Sequence, residues 1–184
     1  MKYDPTLTAI GNTKETNSAR MLCAYSEKPI RNILDYGCGK LRNSNFLKGK
    51  GFNVFVFDLP SQLSKLDTSE FTVVGTITEN TFDAVLCSFV LNVVEQDTRK
   101  QILSNIHKTL VAGGLAFIEV RKTITAKHME AYKDGFLVGK NTVKTFQKVF
   151  TKNEIVALLE GLNFTVEQVE QKPHAISVVV RKSR

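Results

Sequence analysis

The sequence predicts an α/β protein, a three-layer sandwich around a seven-stranded, mostly parallel sheet that closes with a C-terminal antiparallel hairpin. Two observations lead to this fold class. Short runs rich in β-branched and aromatic residues alternate with segments of helical periodicity, which is typical of a parallel sheet covered by helices. The last two runs, 164–171 and 175–180, follow one another across Lys172-Pro173-His174 and predict the hairpin.

Composition and length set the first limits. The chain has 184 residues, enough for one domain with a sizeable core, and its 42% hydrophobic and 23% charged content is ordinary for a globular protein. No window approaches about 18 uninterrupted apolar residues, so we expect no membrane span and no membrane partner. The three cysteines, Cys23, Cys38 and Cys87, have no metal-ligand spacing. We therefore expect no metal site and a reduced, cytoplasmic setting.

The net charge of +7 leaves the kind of partner open. A basic surface attracts phosphates at long range, so a nucleic-acid partner is conceivable. The basic residues are spread along the chain, however, and also fit solvated helix faces and a polar tail. No RNA-binding aromatic motif, zinc finger or helix-turn-helix pattern supports a nucleic-acid partner.

The first predicted element is a helix over 13–26, with Thr13 as a candidate cap and an apolar stripe at Ala19, Leu22 and Cys23. Pro29 ends it. An amphipathic helix just before the first strand either lies across the mouth of a binding site as a flap or packs on the sheet. The sequence leaves both alternatives open.

A glycine turn follows the first strand. Asn32–Tyr36 is a short apolar run that ends before Gly37 and Gly39, and a helix is expected over 41–50. The two glycines permit backbone angles that a Cβ would forbid, and the helix points its partly positive end into the same space. A dinucleotide-binding turn needs a third glycine where Arg42 stands, so the pyrophosphate fingerprint is incomplete.

The second strand, 52–57, ends at Asp58, about twenty residues past the glycines. An acidic residue at this place can accept hydrogen bonds from both hydroxyls of a ribose. The alternative is a surface aspartate that merely ends a strand before Leu59-Pro60.

The same alternation predicts the middle of the chain. We expect a short helix at 61–66, a third strand at 71–75 and a fourth strand at 82–88. A long amphipathic helix at 95–110 and a fifth strand at 115–120 follow. Gly113 suits a left-handed cap on the long helix.

The segment 121–150 breaks this regularity, and its last part, 145–150, reads equally as a strand or a turn of helix. Thr151-Lys152-Asn153-Glu154 then resembles a capping box that opens a helix through Glu160, ended by Gly161.

Four short motifs occur in order: Asp35-x-Gly37-x-Gly39, Phe82-Asp83-Ala84-Val85, Val90-Leu91-Asn92-Val93-Val94 and Leu110-Val111-Ala112-Gly113-Gly114. Together they resemble the pattern of class I S-adenosylmethionine (AdoMet)-dependent methyltransferases, (D/E)-x-G-x-G-x-G, then F-D-x-V, L-x-x-V and L-x-x-G-G. The resemblance covers about residues 30–120. The chain departs from it at the last glycine of the first motif, where Leu41 stands. The first turn, Val90–Val94 and 145–148 also resemble small bacterial methyltransferases, some of them encoded beside DNA-modification systems.

The resemblance implies AdoMet as cofactor and S-adenosylhomocysteine (AdoHcy) as product. It implies that Asp35 holds water or the methionine ammonium, that the glycines clear room for methionine and ribose, and that Asp58 binds the ribose diol. The full set of implied cofactor residues is Asp35, Gly37, Gly39, Asp58, Leu59, Thr76, Ile77 and Ser88. An acidic residue for the adenine edge is absent, since Thr76 and Ile77 stand there. Asn92 is the candidate polar group facing the methyl.

The predicted function is methyl transfer from AdoMet to an unidentified, small acceptor. The alternatives are a silent AdoMet- or AdoHcy-binding regulatory module of a DNA-modification or mobile-element system, and an RNA methyltransferase. We expect a single domain over 1–184, with an N-terminal flap or helix at 1–29, a cofactor-binding half at 30–120 and an acceptor-side half with the hairpin at 121–184.

Overall fold

A computed structural model describes residues 3, 5–8, 13–140 and 143–183. The helices are α1 Asn17–Ala24, α2 Arg42–Gly49, α3 Pro60–Leu63, α4 Gln96–Thr109 and α5 Lys152–Glu160, with short 3₁₀ helices at Pro5–Thr8 and Leu91–Val93. The strands are β1 Asn32–Tyr36, β2 Asn53–Phe57, β3 Thr72–Val73, β4 Phe82–Ser88, β5 Leu110–Arg121, β6 Met129–Tyr132, β7 Gly135–Val138, β8 Thr145–Gln147, β9 Phe164–Gln171 and β10 Ala175–Lys182.

Seven strands form the main sheet in the order β3-β2-β1-β4-β5-β10-β9. The first five run parallel, whereas β10 lies antiparallel to both β5 and β9. Because β1, β2 and β4 are parallel, their carboxyl ends lie at one edge of the sheet. Between β3 and β4 the chain crosses from one side of β1 to the other, which leaves a crevice at this edge. Ligands bind at such an edge in open α/β sheets.

Both faces of the sheet are buried under helices, which completes the predicted three-layer sandwich. On one face, Leu34, Val85 and Ile118 pack against α4 and α5. On the other, Ile33 and Leu86 pack against α1 and α2. Neighbouring residues of one strand thus serve opposite layers, because successive side chains of a strand point to opposite faces.

Local signals bounded several elements correctly. β1 begins and ends where expected, and the capping box of α5 is present, with Thr151 and Glu154 exchanging side chain-to-backbone hydrogen bonds. The expectation for the end of α4 was wrong. The helix ends at Thr109 and β5 begins at Leu110, so Gly113, at φ +68°, lies inside the long β5 rather than on a helix cap. A shift in the β4–β5 register accompanies it.

The irregular segment 121–150 forms a separate three-stranded antiparallel sheet, β6-β7-β8. Its 145–147 part is therefore a strand. Phe146, fully buried, lies near the ring of Tyr132 from the first strand of this small sheet. The main-chain amide of Lys148 donates to the carbonyl of Asn92, which attaches this sheet to the loop after β4.

The N-terminal helix is shorter than predicted and is packed, not detached. Its cap is Thr16, whose hydroxyl accepts from the amide of Ala19, and Thr13 lies outside it. Ala19 and Leu22 are essentially unexposed in the core. Among the described residues, no helix combines the length and the apolar character needed to cross a lipid bilayer.

Candidate functional site

A cavity of about 460 Å³ opens at the carboxyl ends of β1, β2 and β4. Its walls are the glycine turn, the residues that end β2, the loop after β4 and one face of α4. A volume in this range is typical of small-molecule and cofactor sites. We call it the donor cavity, because the carboxyl ends of these strands are where the methyltransferase resemblance implies binding of the methyl donor.

The glycine turn is held by backbone hydrogen bonds to the end of β2. The amides of Gly37 and Cys38 both donate to the carbonyl of Phe57, at 2.7 and 3.2 Å, and the Gly39 amide donates to the Asp58 carboxylate at 2.8 Å. These three N–H groups already have partners, so they are not free to bind the oxygens of a pyrophosphate. The arrangement argues against a dinucleotide site, as does Arg42 in place of the third glycine.

Leu41 occupies the position of the motif's last glycine and keeps the left-handed backbone that a glycine would adopt, with φ +61°. Its side chain is buried against Cys38 and Val56, away from the solvent. The departure from the motif is accommodated because the apolar burial of leucine offsets the cost of the left-handed conformation.

The two glycines of the turn are needed for different reasons. A Cβ on Gly37 would come within 2.4 Å of Cγ2 of Val90, so this glycine leaves room for the loop after β4. A Cβ on Gly39 would meet nothing within 4 Å, and Gly39 lines the donor cavity. Both glycines line the donor cavity, but only at Gly39 is there free space for a Cβ.

Asp58 is half-buried in the cavity wall and acts as the turn's anchor. One carboxylate oxygen accepts from Gly39 and the other accepts from the amide of Leu59 at 2.7 Å. Burial raises the pKa of this carboxyl, and the two amide hydrogen bonds oppose that rise. Each oxygen of a carboxylate can accept a second hydrogen bond, so the group can still receive hydroxyls from a ligand.

Asp35 does not line the donor cavity. Its side chain is 1% exposed, and one oxygen accepts from the hydroxyl of Ser44 in α2 at 2.6 Å. Desolvation, with the nearby charge of Asp58 adding to it, raises the pKa of Asp35 to about 6. The carboxylate lies beneath the turn, so any contact with a ligand's ammonium needs an intermediary such as a water molecule.

Ser88 lines the donor cavity at the end of β4 and belongs to a chain of hydroxyls. Its oxygen lies 2.7 Å from that of Ser18 and 3.2 Å from that of Thr16, both buried at the start of α1. The amide of Ser18 donates to the buried carboxylate of Glu119 at the end of β5. The N-terminus of α1 thus contacts the binding edge while the rest of the helix packs on the sheet.

Of the remaining expected residues, Leu59 lines the donor cavity, but Thr76, Ile77 and Asn92 are not among its lining residues. Thr76 is exposed, and Ile77 packs against the core. Asn92 is fully buried; its Nδ2 lies 3.5 Å from Oε1 of Gln147, and its Oδ1 has no hydrogen-bond partner among the described residues. The assignments for these three residues stay predictions that the cavity geometry does not support.

Other lining residues were missed in the sequence. Thr98, Gln101 and Asn105 form a polar stripe on α4 that borders the cavity. Their spacing of three and four residues was a readable signal of one helix face. Tyr36 and Phe57, with ring centroids 4.7 Å apart, add an aromatic wall, and the Tyr36 hydroxyl accepts from Asn105 at 3.3 Å.

A second cavity, of about 310 Å³, lies beside the first. It is bounded by the start of α1, by the turn between β9 and β10, and by Glu119. Arg42 and Phe89 line both cavities. We call this second space the acceptor cavity, after the role proposed for it below.

The chain belongs to the methyltransferase-domain family, because the family profile matches residues 10–169. The predictions of a class I fold, of AdoMet-dependent methyltransferase activity and of AdoMet as the cofactor are confirmed. The narrower resemblance to proteins encoded near DNA-modification systems receives no support. A search of curated protein sequences found no match.

Solved structures with the same fold come from several organisms. 1,6-Didemethyltoxoflavin-N1-methyltransferase of Burkholderia thailandensis, with bound 1,6-didemethyltoxoflavin and S-adenosylhomocysteine, is 21% identical over 91% of this chain and 77% of its own, with a TM-score of 0.70. A TehB-like SAM-dependent methyltransferase of Corynebacterium glutamicum is 22% identical over 96% and 92%, with a TM-score of 0.67. The PH0226 protein of Pyrococcus horikoshii is 17% identical over 89% and 88%, with a TM-score of 0.72.

Proposed function

We propose that the protein binds AdoMet in the donor cavity and transfers its methyl group to a small acceptor bound in the acceptor cavity. The observation that carries this proposal is the pairing of Asp58 with Gly39. A half-buried carboxylate with capacity for more hydrogen bonds stands beside a glycine that leaves the cavity open. That combination suits a ligand with a diol and a bulky group close to the backbone.

The walls of the donor cavity suit the parts of AdoMet. Asp58 accepts hydrogen bonds from the ribose hydroxyls, and Gly39 leaves room next to them. Leu59 is 48% exposed at the rim, so a base stacked on it would remove apolar surface from water. Tyr36 and Phe57 supply further apolar wall, and the Thr98 to Asn105 stripe supplies polar groups.

Methyl transfer makes modest demands on the protein. When bound, AdoMet supplies an activated methyl group. The acceptor's lone pair forms the new bond to the methyl carbon while the S–C bond breaks, and the electron pair of the S–C bond stays on sulfur, which leaves AdoHcy. The residues of the two cavities therefore hold the acceptor in line and exclude water. A general base is needed only for an acceptor that is protonated at neutral pH.

The open acceptor cavity favours a catalyst over a silent cofactor binder, because a binder has no use for a space beside the donor. Its volume of about 310 Å³ suits a small molecule. The Burkholderia neighbour, whose bound 1,6-didemethyltoxoflavin is a small molecule, supports the same kind of acceptor.

We extend the proposal to organisation and setting. The chain works as one domain in which 30–120 supplies the donor side and 121–184 supplies part of the acceptor side. At the N-terminal end, Tyr3 and Thr8, rather than α1, line the donor cavity and cover part of it. The free thiols of Cys23, Cys38 and Cys87 suit a reduced, cytoplasmic setting.

The proposal is tested by calorimetric titration of AdoHcy into the parent and an Asp58→Ala variant. Loss of hydrogen bonds to a charged group costs about 1.5–3 kcal/mol, or roughly a 10- to 150-fold rise in Kd. Asp83→Ala is the matched control. Asp83 also accepts two backbone hydrogen bonds, from Arg31 and Asn32, but it lies at the opposite end of the parallel strands.

Both variants lose a carboxylate that ties down backbone, so both should lose similar stability, while only Asp58→Ala should lose affinity. A folded Asp58→Ala protein that binds AdoHcy as tightly as the parent would refute the ribose assignment. Equal losses of affinity in both variants would point to a general effect on folding.

A further inference from the structure

The acceptor cavity has a basic lining. Lys14, Arg20, Arg42 and Lys172 line it, together with two acids, Glu15 and Glu119. Both acids have partners within the chain. Glu15 pairs with Arg20 at 3.0 Å, and Glu119 accepts from the amide of Ser18 at 2.7 Å. Lys172 likewise pairs with Glu170 at 3.4 Å, and the amide donor leaves the charge of Glu119 in place. The lining still carries four basic side chains against two acids, so the local charge favours a negatively charged occupant.

Two arginines lie near Phe89, and neither forms an ion pair with a carboxylate of the described residues; Arg42 lines this cavity, and Arg121 lies on β5. The guanidinium carbons of Arg42 and Arg121 lie 5.9 and 5.5 Å from the ring centroid of Phe89. Among the described residues, no carboxylate oxygen lies within the 4.0 Å ion-pair limit of either group. Both side chains are half-buried, and desolvation lowers the pKa of each.

Partly burying these two cations is unfavourable, because each loses hydration. For Arg42, the negative charges of Glu119 and Asp35 and a hydrogen bond to the carbonyl of Lys14 at 3.4 Å offset part of that loss. The lowered pKa of Arg121 is due to desolvation alone. Their charges also act on each other, since Arg121 contributes to the lowered pKa of Arg42. An anion bound by both groups beside Phe89 would relieve both costs. The planar guanidinium fork is suited to carboxylates and phosphates, which it binds with two parallel hydrogen bonds.

Phe89, whose ring lies near both arginines, has a strained backbone conformation. It has φ +59°, in the left-handed region that a bulky residue seldom adopts, and its amide donates to the carbonyl of Glu119 at 2.7 Å. Such backbone strain opposes folding and concentrates at functional sites. Here it puts an aromatic ring at the boundary of the two cavities, next to both arginines.

We propose that the methyl acceptor is a small anion whose carboxylate or phosphate is bound by Arg42 and Arg121 beside the ring of Phe89. This inference rests on the proposed function for its direction, since it names the acceptor class of the same site. A small molecule fits better than a nucleic-acid strand, because Arg42 lines a compact cavity of about 310 Å³ rather than an extended track.

The test uses ¹⁵N-labelled protein saturated with AdoHcy and follows the arginine Nε–H signals by NMR. Benzoate and phenyl phosphate serve as anionic probes, and benzamide serves as the neutral probe of similar shape, all at constant ionic strength. The expected result is a saturable shift of the Arg42 and Arg121 signals with one or both anions and none with benzamide. The tighter of the two anions tells a carboxylate acceptor from a phosphate acceptor.

Variants separate direct binding from the general field of the surface. Arg121→Gln should weaken the anion at least tenfold, and Arg121→Lys, which keeps the charge but not the fork, should weaken it less. Arg20→Gln is the matched control, because Arg20 lines the same cavity but is already paired with Glu15. It should change the anion's affinity less than twofold.

Equal shifts with benzamide, or a tenfold loss in Arg20→Gln, would overturn the inference. Displacement of the anion by a short single-stranded oligoribonucleotide of higher affinity would replace the small acceptor with nucleic acid and overturn it too. AdoHcy affinity is measured separately by calorimetry. If AdoHcy binds and no anion does, the acceptor inference fails alone; if anions bind and AdoHcy does not, the donor assignment fails and the anion site stands.

Discussion

The two glycines of the turn offer a paired test of which space belongs to the ligand. Both have left-handed backbones, with φ +77° at Gly37 and +58° at Gly39. An alanine at either position therefore costs about 1–2 kcal/mol for the conformation alone. For a domain of this size, that lowers the melting temperature by roughly 2–8 °C.

Gly37→Ala carries a second cost. Its new methyl would stand 2.4 Å from Cγ2 of Val90, and forcing an extra carbon into a packed contact costs about 1–3 kcal/mol. Gly37→Ala should thus unfold about 2–12 °C below Gly39→Ala. Shortening Val90 to alanine in the Gly37→Ala background should recover much of that difference, because it removes the atom that is struck.

The affinity for AdoHcy should rank the two variants in the opposite order to their stability. The new methyl of Gly39→Ala enters open space in the donor cavity, so this more stable variant should lose at least tenfold in AdoHcy affinity. Circular dichroism melts and calorimetric titration give the two readouts. Equal melting temperatures for the two single variants would refute the packing argument, and undiminished AdoHcy affinity in Gly39→Ala would refute the assignment of the open space to the cofactor.

Two further predictions concern stability. Asp35 has a pKa of about 6 in the folded protein against an ordinary 3.8, so its ionisation opposes folding: stability should fall as pH rises from about 4 to about 6 and stay lower above that. Asp35→Asn should remove this fall. Its free energy of unfolding in urea at pH 7 should rise by about 1–3 kcal/mol, which allows for a weaker hydrogen bond from Ser44. An unchanged pH profile would contradict the buried-charge argument. Leu41→Gly should lose about 1–3 kcal/mol, because the lost burial outweighs relief of the left-handed backbone, and a stabilised variant would reverse that ranking.

Features decided by neighbouring residues could be predicted from the sequence. The ends of β1 follow from an apolar run stopped by Gly37, and the start of α5 follows from Thr151 and Glu154, which bond to each other across one helical turn. The parallel direction of the first five strands follows from their alternation with helices. These signals are local, so no distant contact is needed to interpret them.

Features decided by distant contacts could not be predicted. Leu110 pairs with Phe82, and this pairing draws the supposed end of a helix into β5. Asn92 is buried because the small β6–β8 sheet packs on its loop, which no pattern near Asn92 indicates. The contacts of Phe89 with Arg42 and Arg121 join three separate elements and likewise leave no mark in the local sequence.

The separate construction of the two cavities has a consequence for how such an enzyme diversifies. The donor side depends on main-chain hydrogen bonds between the glycine turn and the end of β2, while the acceptor side includes five exposed side chains from the α1 region and the β9–β10 turn. Arg42 and Phe89 are the lining residues common to both within the described chain. Substitutions at Lys14 or Lys172 can therefore explore new acceptors at little cost to cofactor affinity. Substitutions at Arg42 or Phe89 would change cofactor affinity and acceptor binding together, so the acceptor specificity that depends on these two residues is the hardest to change.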